Sequence, residues 1–134
     1  MEAEESLVLD VIQILKDKNW TDIETNWYII NGKSNWGVGD VIAKKDRRLL
    51  AVECKFINRT NPTQKRRKVK TQAVMYACYA KILNPDFRVK GCWFTNEGWG
   101  FTRIIEMEEA VLAVKCHMSR RFRHSIDIDS FYAG

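Results

Sequence analysis

Apolar residues recur at helical spacing near the N-terminus. Val8, Val11, Ile12 and Leu15, flanked by Leu7 and Ile14, mark one face of a helix over residues 4–18, and Asn19 supplies a stop. The next apolar block, Asn26-Trp27-Tyr28-Ile29-Ile30, is aromatic and β-branched and predicts a strand closed by the turn signal Asn31-Gly32. A polar loop, Lys33-Ser34-Asn35-Trp36-Gly37-Val38-Gly39, separates it from two further strands. These are Asp40 to Lys44 and Leu49 to Phe56, joined by the charged turn Lys45-Asp46-Arg47-Arg48. A polar stretch with Pro62 leads into a second long helix, from about Thr63 to Leu83. Asn84-Pro85 ends it, because proline disfavours helix in the residue before it. Val89 to Thr95 predicts a fourth strand and Gly100 to Ile105 a short fifth, with a last helix over Glu106 to Met118.

The order α-β-β-β-α-β-β-α, with a crossover helix between the third and fourth strands, predicts an α/β domain: a mixed central sheet flanked by helices. The 134 residues suit a single domain over 1–134. With 46% hydrophobic and 29% charged residues the chain has a globular composition, which excludes a disordered or low-complexity protein. No apolar run approaches the roughly 18 residues that span a bilayer, so no membrane partner is expected. The acidic start Met1-Glu2-Ala3-Glu4-Glu5 is unlike a secretory or transit signal and points to an intracellular protein, in the cytoplasm or nucleus. Cys54, Cys78, Cys92 and Cys116 are far apart in sequence and each sits in an apolar stretch, which predicts small buried thiols rather than a metal or redox pair.

Charge changes the picture. The formal net charge is +5, and the excess is local: acids dominate residues 1–30, while Lys65-Arg66-Arg67-Lys68-Val69-Lys70 and Arg120-Arg121-Phe122-Arg123 are basic. Such patches suit a polyanion, nucleic acid first, although a solvated helix start and tail would read the same way.

The hairpin makes the reading specific. A two-residue turn at Asp46-Arg47 pairs Lys45 with Arg48, Lys44 with Leu49 and so on to Asp40 opposite Glu53, with Cβ atoms roughly 4.5–5.5 Å apart. Glu53 and Lys55 share one face of their strand; Val52, Cys54 and Phe56 point to the other. Facing carboxylates repel, so the pair needs a shared proton or a cation between them. Mg²⁺ takes oxygen ligands at about 2.0–2.1 Å, commonly one or two protein carboxylates with water and phosphate oxygens. Asp40, Glu53 and a backbone carbonyl such as that of Cys54 meet that demand, and Lys55 stands where it positions or activates an attacking water. The plain alternative is a Glu-Lys pair that keeps an edge strand soluble; the hydrophobic approach Leu49-Leu50-Ala51-Val52 argues against it, because a lone carboxylate there is costly.

Gly39-Asp40 followed by Glu53-Cys54-Lys55 resembles the PD-(D/E)xK (restriction endonuclease-like) nuclease superfamily, although Gly-Asp stands where the name-giving form has Pro-Asp. Gln72 to Tyr76 is similar to the QxxxY motif of its RecB-like branch; four apart, the two share a helix face. The resemblance, over about residues 4–105, implies an αβββαβ core and a Mg²⁺ (or Mn²⁺) site on the middle hairpin. It also implies DNA as substrate, Gln72 and Tyr76 at substrate phosphate, and a glutamate from the first helix: Glu4 or Glu5, with Glu5 slightly favoured. The alternative for either is an acid favoured at a helix N-terminus.

Size, basic charge and Ser34 also resemble small Holliday-junction resolvases, which act as dimers, so an endonuclease on duplex or branched DNA and a homodimer are expected. A RecB-like exonuclease on DNA ends, an RNA-directed nuclease and a non-catalytic binding module remain open. An iron–sulfur cluster is not expected, since only Cys92 and Cys116 follow the core. Lys65, Arg66, Arg67, Lys68 and Lys70 precede Gln72 and are expected to meet the phosphate backbone, with Ser34 and Asn35 as further nucleic-acid contacts. Trp36 is expected in the core or stacked on an unpaired base, Trp93 and Phe94 in the core.

Overall fold

A computed structural model describes residues 3–28 and 37–122. The elements run α1 (Ala3–Asp17), β1 (Thr21–Tyr28), β2 (Gly37–Lys45), β3 (Arg48–Lys55), α2 (Pro62–Leu83), β4 (Arg88–Thr95), β5 (Trp99–Phe101) and α3 (Met107–Phe122). The strands form one sheet in the order β1-β2-β3-β4-β5. Among the described strands only β3 and β4 pair in parallel, so the sheet is mixed, as the crossover helix α2 requires. Among the described residues no helix is long and apolar enough to cross a membrane.

Strand alternation divides the core into two layers. Leu7, Val11 and Leu15 of α1 pack on Val41, Ala43, Leu50, Val52, Cys54 and Cys92. On the other face Ala77, Tyr79 and Ala80 of α2 and Ala110 and Val114 of α3 pack on Ile42, Leu49, Ala51 and Val89. Odd-numbered β3 residues therefore look towards α2 and even-numbered ones towards α1. Gly91 allows the close approach of α2: a Cβ there would lie 2.5 Å from the Ala73 carbonyl oxygen.

Turn chemistry sets the boundaries. Asn19 adopts a left-handed conformation (φ 67°) and the Trp20 N–H returns to the Leu15 carbonyl at 2.9 Å, a Schellman-type stop for α1. The Lys45 ammonium caps the same end through the Lys18 carbonyl at 2.7 Å. Asn84 ends α2 by giving both its backbone N–H (2.9 Å) and its side-chain amide (3.0 Å) to the Ala80 carbonyl.

Four expectations are corrected. The first strand begins at Thr21 rather than at Asn26, because Thr21, Ile23 and Thr25 already alternate in strand fashion; it is described as far as Tyr28, and Ile29 and Ile30 lie outside the described residues. β5 stops at Phe101, because the Thr102 hydroxyl accepts the Gly91 N–H at 2.8 Å where a regular ladder would use a backbone carbonyl. Cys54, Cys78 and Cys92 are buried as expected, but Cys116 is exposed. β3 ends at Lys55, leaving Phe56 exposed rather than facing the α1 core.

Candidate functional site

The β2–β3 hairpin turns at Asp46, which takes the left-handed conformation (φ 56°), and Lys45 pairs with Arg48, Lys44 with Leu49 and Val41 with Val52. The predicted register therefore holds along the whole ladder. Asp40 and Glu53 come one step beyond its last pair, on the α2 side of the sheet. There the strands separate, and a side chain replaces the backbone partner: Asp40 Oδ2 accepts the Cys54 N–H at 2.8 Å. In an antiparallel pair a residue's N–H and C=O point to the same neighbouring strand. The Cys54 carbonyl is thus directed to the Asp40 side, while its thiol is buried in the α1 layer.

The two carboxyl groups are close enough for each to shift the other's titration. Burial raises the Asp40 pKa, against the lowering effect of the Cys54 N–H. Glu53 is pushed up to about 9, by burial first and by the Asp40 charge next. With no cation present, Glu53 holds the shared proton. Lys55, the last residue of β3, ion-pairs with Glu4 at 3.4 Å, although α1 packs on the opposite face. The contact is possible because α1 begins at the end of the sheet where β3 finishes. The α1 acid at the cluster is Glu4; Glu5, slightly favoured from the sequence, is exposed and one residue round the helix.

The start of α2 lies at the same end. Lys55 shares an open groove of about 590 Å³ with Asn61, Gln64, Lys65, Arg67 and Lys68. The first turn of α2 has no acidic residue and no side-chain cap, so the positive end of the helix dipole is left for an anion. The basic run is divided by the helix. Lys65, Arg67 and Lys68 face the groove, whereas Arg66 makes a bidentate pair with Glu97 (2.7 and 2.8 Å) and Lys70 lies 5.4 Å from the Trp93 ring centre. Of the five cations expected to meet phosphate, Arg66 and Lys70 are the two that do not line this groove. Tyr76 packs on the core layer containing Ile42 and Ala51, the sheet face of Asp40 and Glu53, and Gln72 is half-buried one turn nearer the groove. Trp93 and Phe94 are half-buried, Phe94 against the α1 layer.

The sequence marks a turn at Asn96 to Gly100, between β4 and β5, but not what that turn holds. Asn96 accepts the Ile57 N–H at 2.6 Å and donates to the Ile57 carbonyl at 3.0 Å, clamping the segment that leads from Lys55 to α2. With Glu97 on Arg66, this turn ties down both flanks of the groove. Asn96-Glu97-Gly98 carries an ordinary turn signal, and nothing local marks it as a clamp.

Among the described residues no group of three or more His, Cys, Asp or Glu side chains gathers as a metal site. The set that does gather is all oxygen: two half-buried, mutually repelling carboxylates with a backbone carbonyl directed beside them. That set fits Mg²⁺, which is commonly held by one or two carboxylates, and is poor for zinc, which prefers nitrogen and sulfur. Ser34, Asn35 and Trp36 lie outside the described residues, as does Arg123; Arg120 and Arg121 fall in the last turn of α3. Compared with known protein families, curated proteins and solved structures, the chain matches none.

Proposed function

We propose that the chain is a divalent-metal-dependent DNA nuclease of the PD-(D/E)xK kind on a restriction endonuclease-like core, acting as an endonuclease on duplex or branched DNA. The observation that carries this reading is the half-buried Asp40–Glu53 pair beside Lys55, at the head of a groove lined by Lys65, Arg67 and Lys68.

Asp40, Glu53 and the Cys54 carbonyl would hold Mg²⁺ or Mn²⁺. When bound, the ion supplies Lewis-acid stabilisation of the charge that develops on phosphorus-bound oxygens. The chain does the rest. Lys65, Arg67 and Lys68, with the uncapped start of α2, bind the phosphodiester backbone without reading its sequence. The Cys54 N–H holds Asp40 in one orientation. Glu4 holds the Lys55 ammonium at the mouth of the groove, where it orients the attacking water and donates a hydrogen bond to the phosphate. Gln72 and Tyr76 fit the role of flanking substrate contacts on the same face.

Purified protein in Mg²⁺ is expected to nick a closed circular duplex. Asp40→Ala, Glu53→Ala and Lys55→Ala should each lower the rate by roughly a hundredfold or more. Equal cleavage by these variants and the wild type overturns the proposal. A four-way junction cut at symmetric positions would favour a dimeric resolvase, and a requirement for free ends the RecB-like exonuclease. A binding module is the second reading, favoured by Glu4 pairing with Lys55 rather than joining Asp40 and Glu53 in a three-acid metal group among the described residues; DNA binding that persists in EDTA with no cleavage in any divalent ion would establish it.

A further inference from the structure

The pole of the sheet opposite Lys55 carries a second concentration of cations, which the proposed nuclease chemistry does not use. Arg48 and Arg88 are direct neighbours in the parallel β3–β4 ladder, and Leu50 and Lys90 are the next pair on the same face. Adjacent strands lie about 4.8 Å apart, so two arginine side chains leave the sheet from neighbouring positions, a pairing of like charges that repels. Asp46 reaches Arg48 at 3.7 Å in an exposed pair; among the described residues no carboxylate is within ion-pair distance of Arg88 or Lys90.

Aromatic rings complete the site. The Arg48 guanidinium lies 5.8 Å from the Trp20 ring centre and the Lys90 ammonium 5.9 Å from that of Phe101. Trp20, Arg48, Leu50, Arg88, Lys90 and Phe101 line one cavity of about 320 Å³, within the roughly 300–1,000 Å³ range of small-ligand sites. The fold leaves it open: α1 reverses at Asn19, so Trp20 forms a wall, and Phe101 on the last strand stays 48% exposed.

We infer that this cavity binds a nucleoside phosphate, with the phosphate between Arg48, Arg88 and Lys90 and the base against Trp20 and Phe101. Three cations with a single weak carboxylate partner select an anion. Two π-faces over the apolar floor of Leu50 select a flat aromatic group on that anion. Both a free mononucleotide and an unpaired nucleotide within a strand present this chemistry. Arg48 and Lys55 stand at opposite ends of β3, roughly 23 Å apart at strand rise, so the site is separate from the carboxylate pair. The inference holds whether or not Asp40 and Glu53 cleave DNA.

The test is calorimetric titration of the full chain in EDTA with dAMP, inorganic phosphate and deoxyadenosine, and anisotropy with a labelled (dA)6 strand. Wild type and Asp40→Ala are expected to bind dAMP equally. Arg88→Glu/Lys90→Glu, altering two exposed side chains, should lose at least tenfold, and Phe101→Ala about fivefold. Phosphate and deoxyadenosine should each bind at least tenfold more weakly than dAMP. (dA)6 binding tenfold tighter than dAMP identifies a strand as the natural source, and equal binding a free nucleotide. In the unmodified chain, dAMP should also shift the Trp20 indole N–H resonance, a readout that needs no variant to fold. No dAMP binding, unchanged binding by the charge-reversed variant, phosphate binding as tightly as dAMP, or an unmoved Trp20 resonance would each overturn the inference.

Discussion

The carboxylate of Asp40 does the work of a strand partner: its Oδ2 accepts the Cys54 N–H at 2.8 Å, just past the point where the β2–β3 ladder ends at Val41 and Val52. A hydrogen bond to a charged group contributes about 1.5–3 kcal/mol, so this contact holds the hairpin end together while aiming the acid at Glu53. The same geometry forces two half-buried carboxyl groups into contact. Strand pairing and a cation site thus depend on one side chain.

Glu53 makes stability depend on pH and on metal. Its pKa of about 9 in the folded chain exceeds its ordinary 4.5, so between these values the folded state binds more protons than the unfolded one. Stability is therefore expected to be highest below about pH 4.5 as far as this group is concerned, and to fall as pH rises towards 9 in EDTA. Mg²⁺ at a hundred times its Kd should restore about 2.7 kcal/mol above neutral pH. Thermal melts in EDTA and in Mg²⁺ across this range read both effects, and Glu53→Gln should remove them. A flat profile in EDTA would contradict the shared proton.

Glu4 and Glu5 should separate cleanly. Glu4→Gln releases Lys55 and is expected to slow cleavage by roughly ten- to a hundredfold, in the range of general acid–base and positioning effects. Glu5→Gln should change it less than twofold. Rates measured at saturating substrate decide between them, and equal effects would reject the assignment of Glu4.

Salt dependence of DNA binding should divide the basic run. Lys68→Ala or Arg67→Ala is expected to lower the slope of log affinity against log salt by about 0.9 for each phosphate that is no longer neutralised. Arg66→Ala and Lys70→Ala should leave the slope unchanged, since Arg66 is paired with Glu97 and neither side chain lines the groove. Equal slopes for all four variants would mean that the division is absent in solution.

Asn96→Ala leaves the Ile57 N–H and carbonyl without their partner. A cost of about 1–3 kcal/mol in denaturant unfolding is expected, with a larger loss of DNA binding than Arg66→Ala produces. Asn96→Asp, which keeps one acceptor, should recover part of both.

Gly91→Ala drives a methyl into the Ala73 backbone carbonyl, which has no flexible end to move away. Overpacking of this kind costs about 1–3 kcal/mol, and α2 must lift, carrying Gln72 and Tyr76 with it. Urea unfolding of the variant measures the cost, and a wild-type midpoint would show that the helix is not held that closely.

Local patterning made much of the architecture legible. Helical spacing from Val8 to Leu15, the Asn84-Pro85 stop and the Asp46-Arg47 turn each act over a few residues, so element order and hairpin register could be read directly. From that register the opposition of Asp40 and Glu53 followed, because strand side chains alternate with a strict period of two. That Glu4 rather than Glu5 reaches Lys55, that only Lys65, Arg67 and Lys68 of the basic run line the groove, and that Asn96 clamps Ile57 came only from tertiary structure. Each depends on how helices and turns distant in sequence are rotated and docked against the ends of the sheet. Docking angle is set by packing at Gly91, Ala73 and the two core layers, and one residue of helix rotation moves a side chain by about 100°.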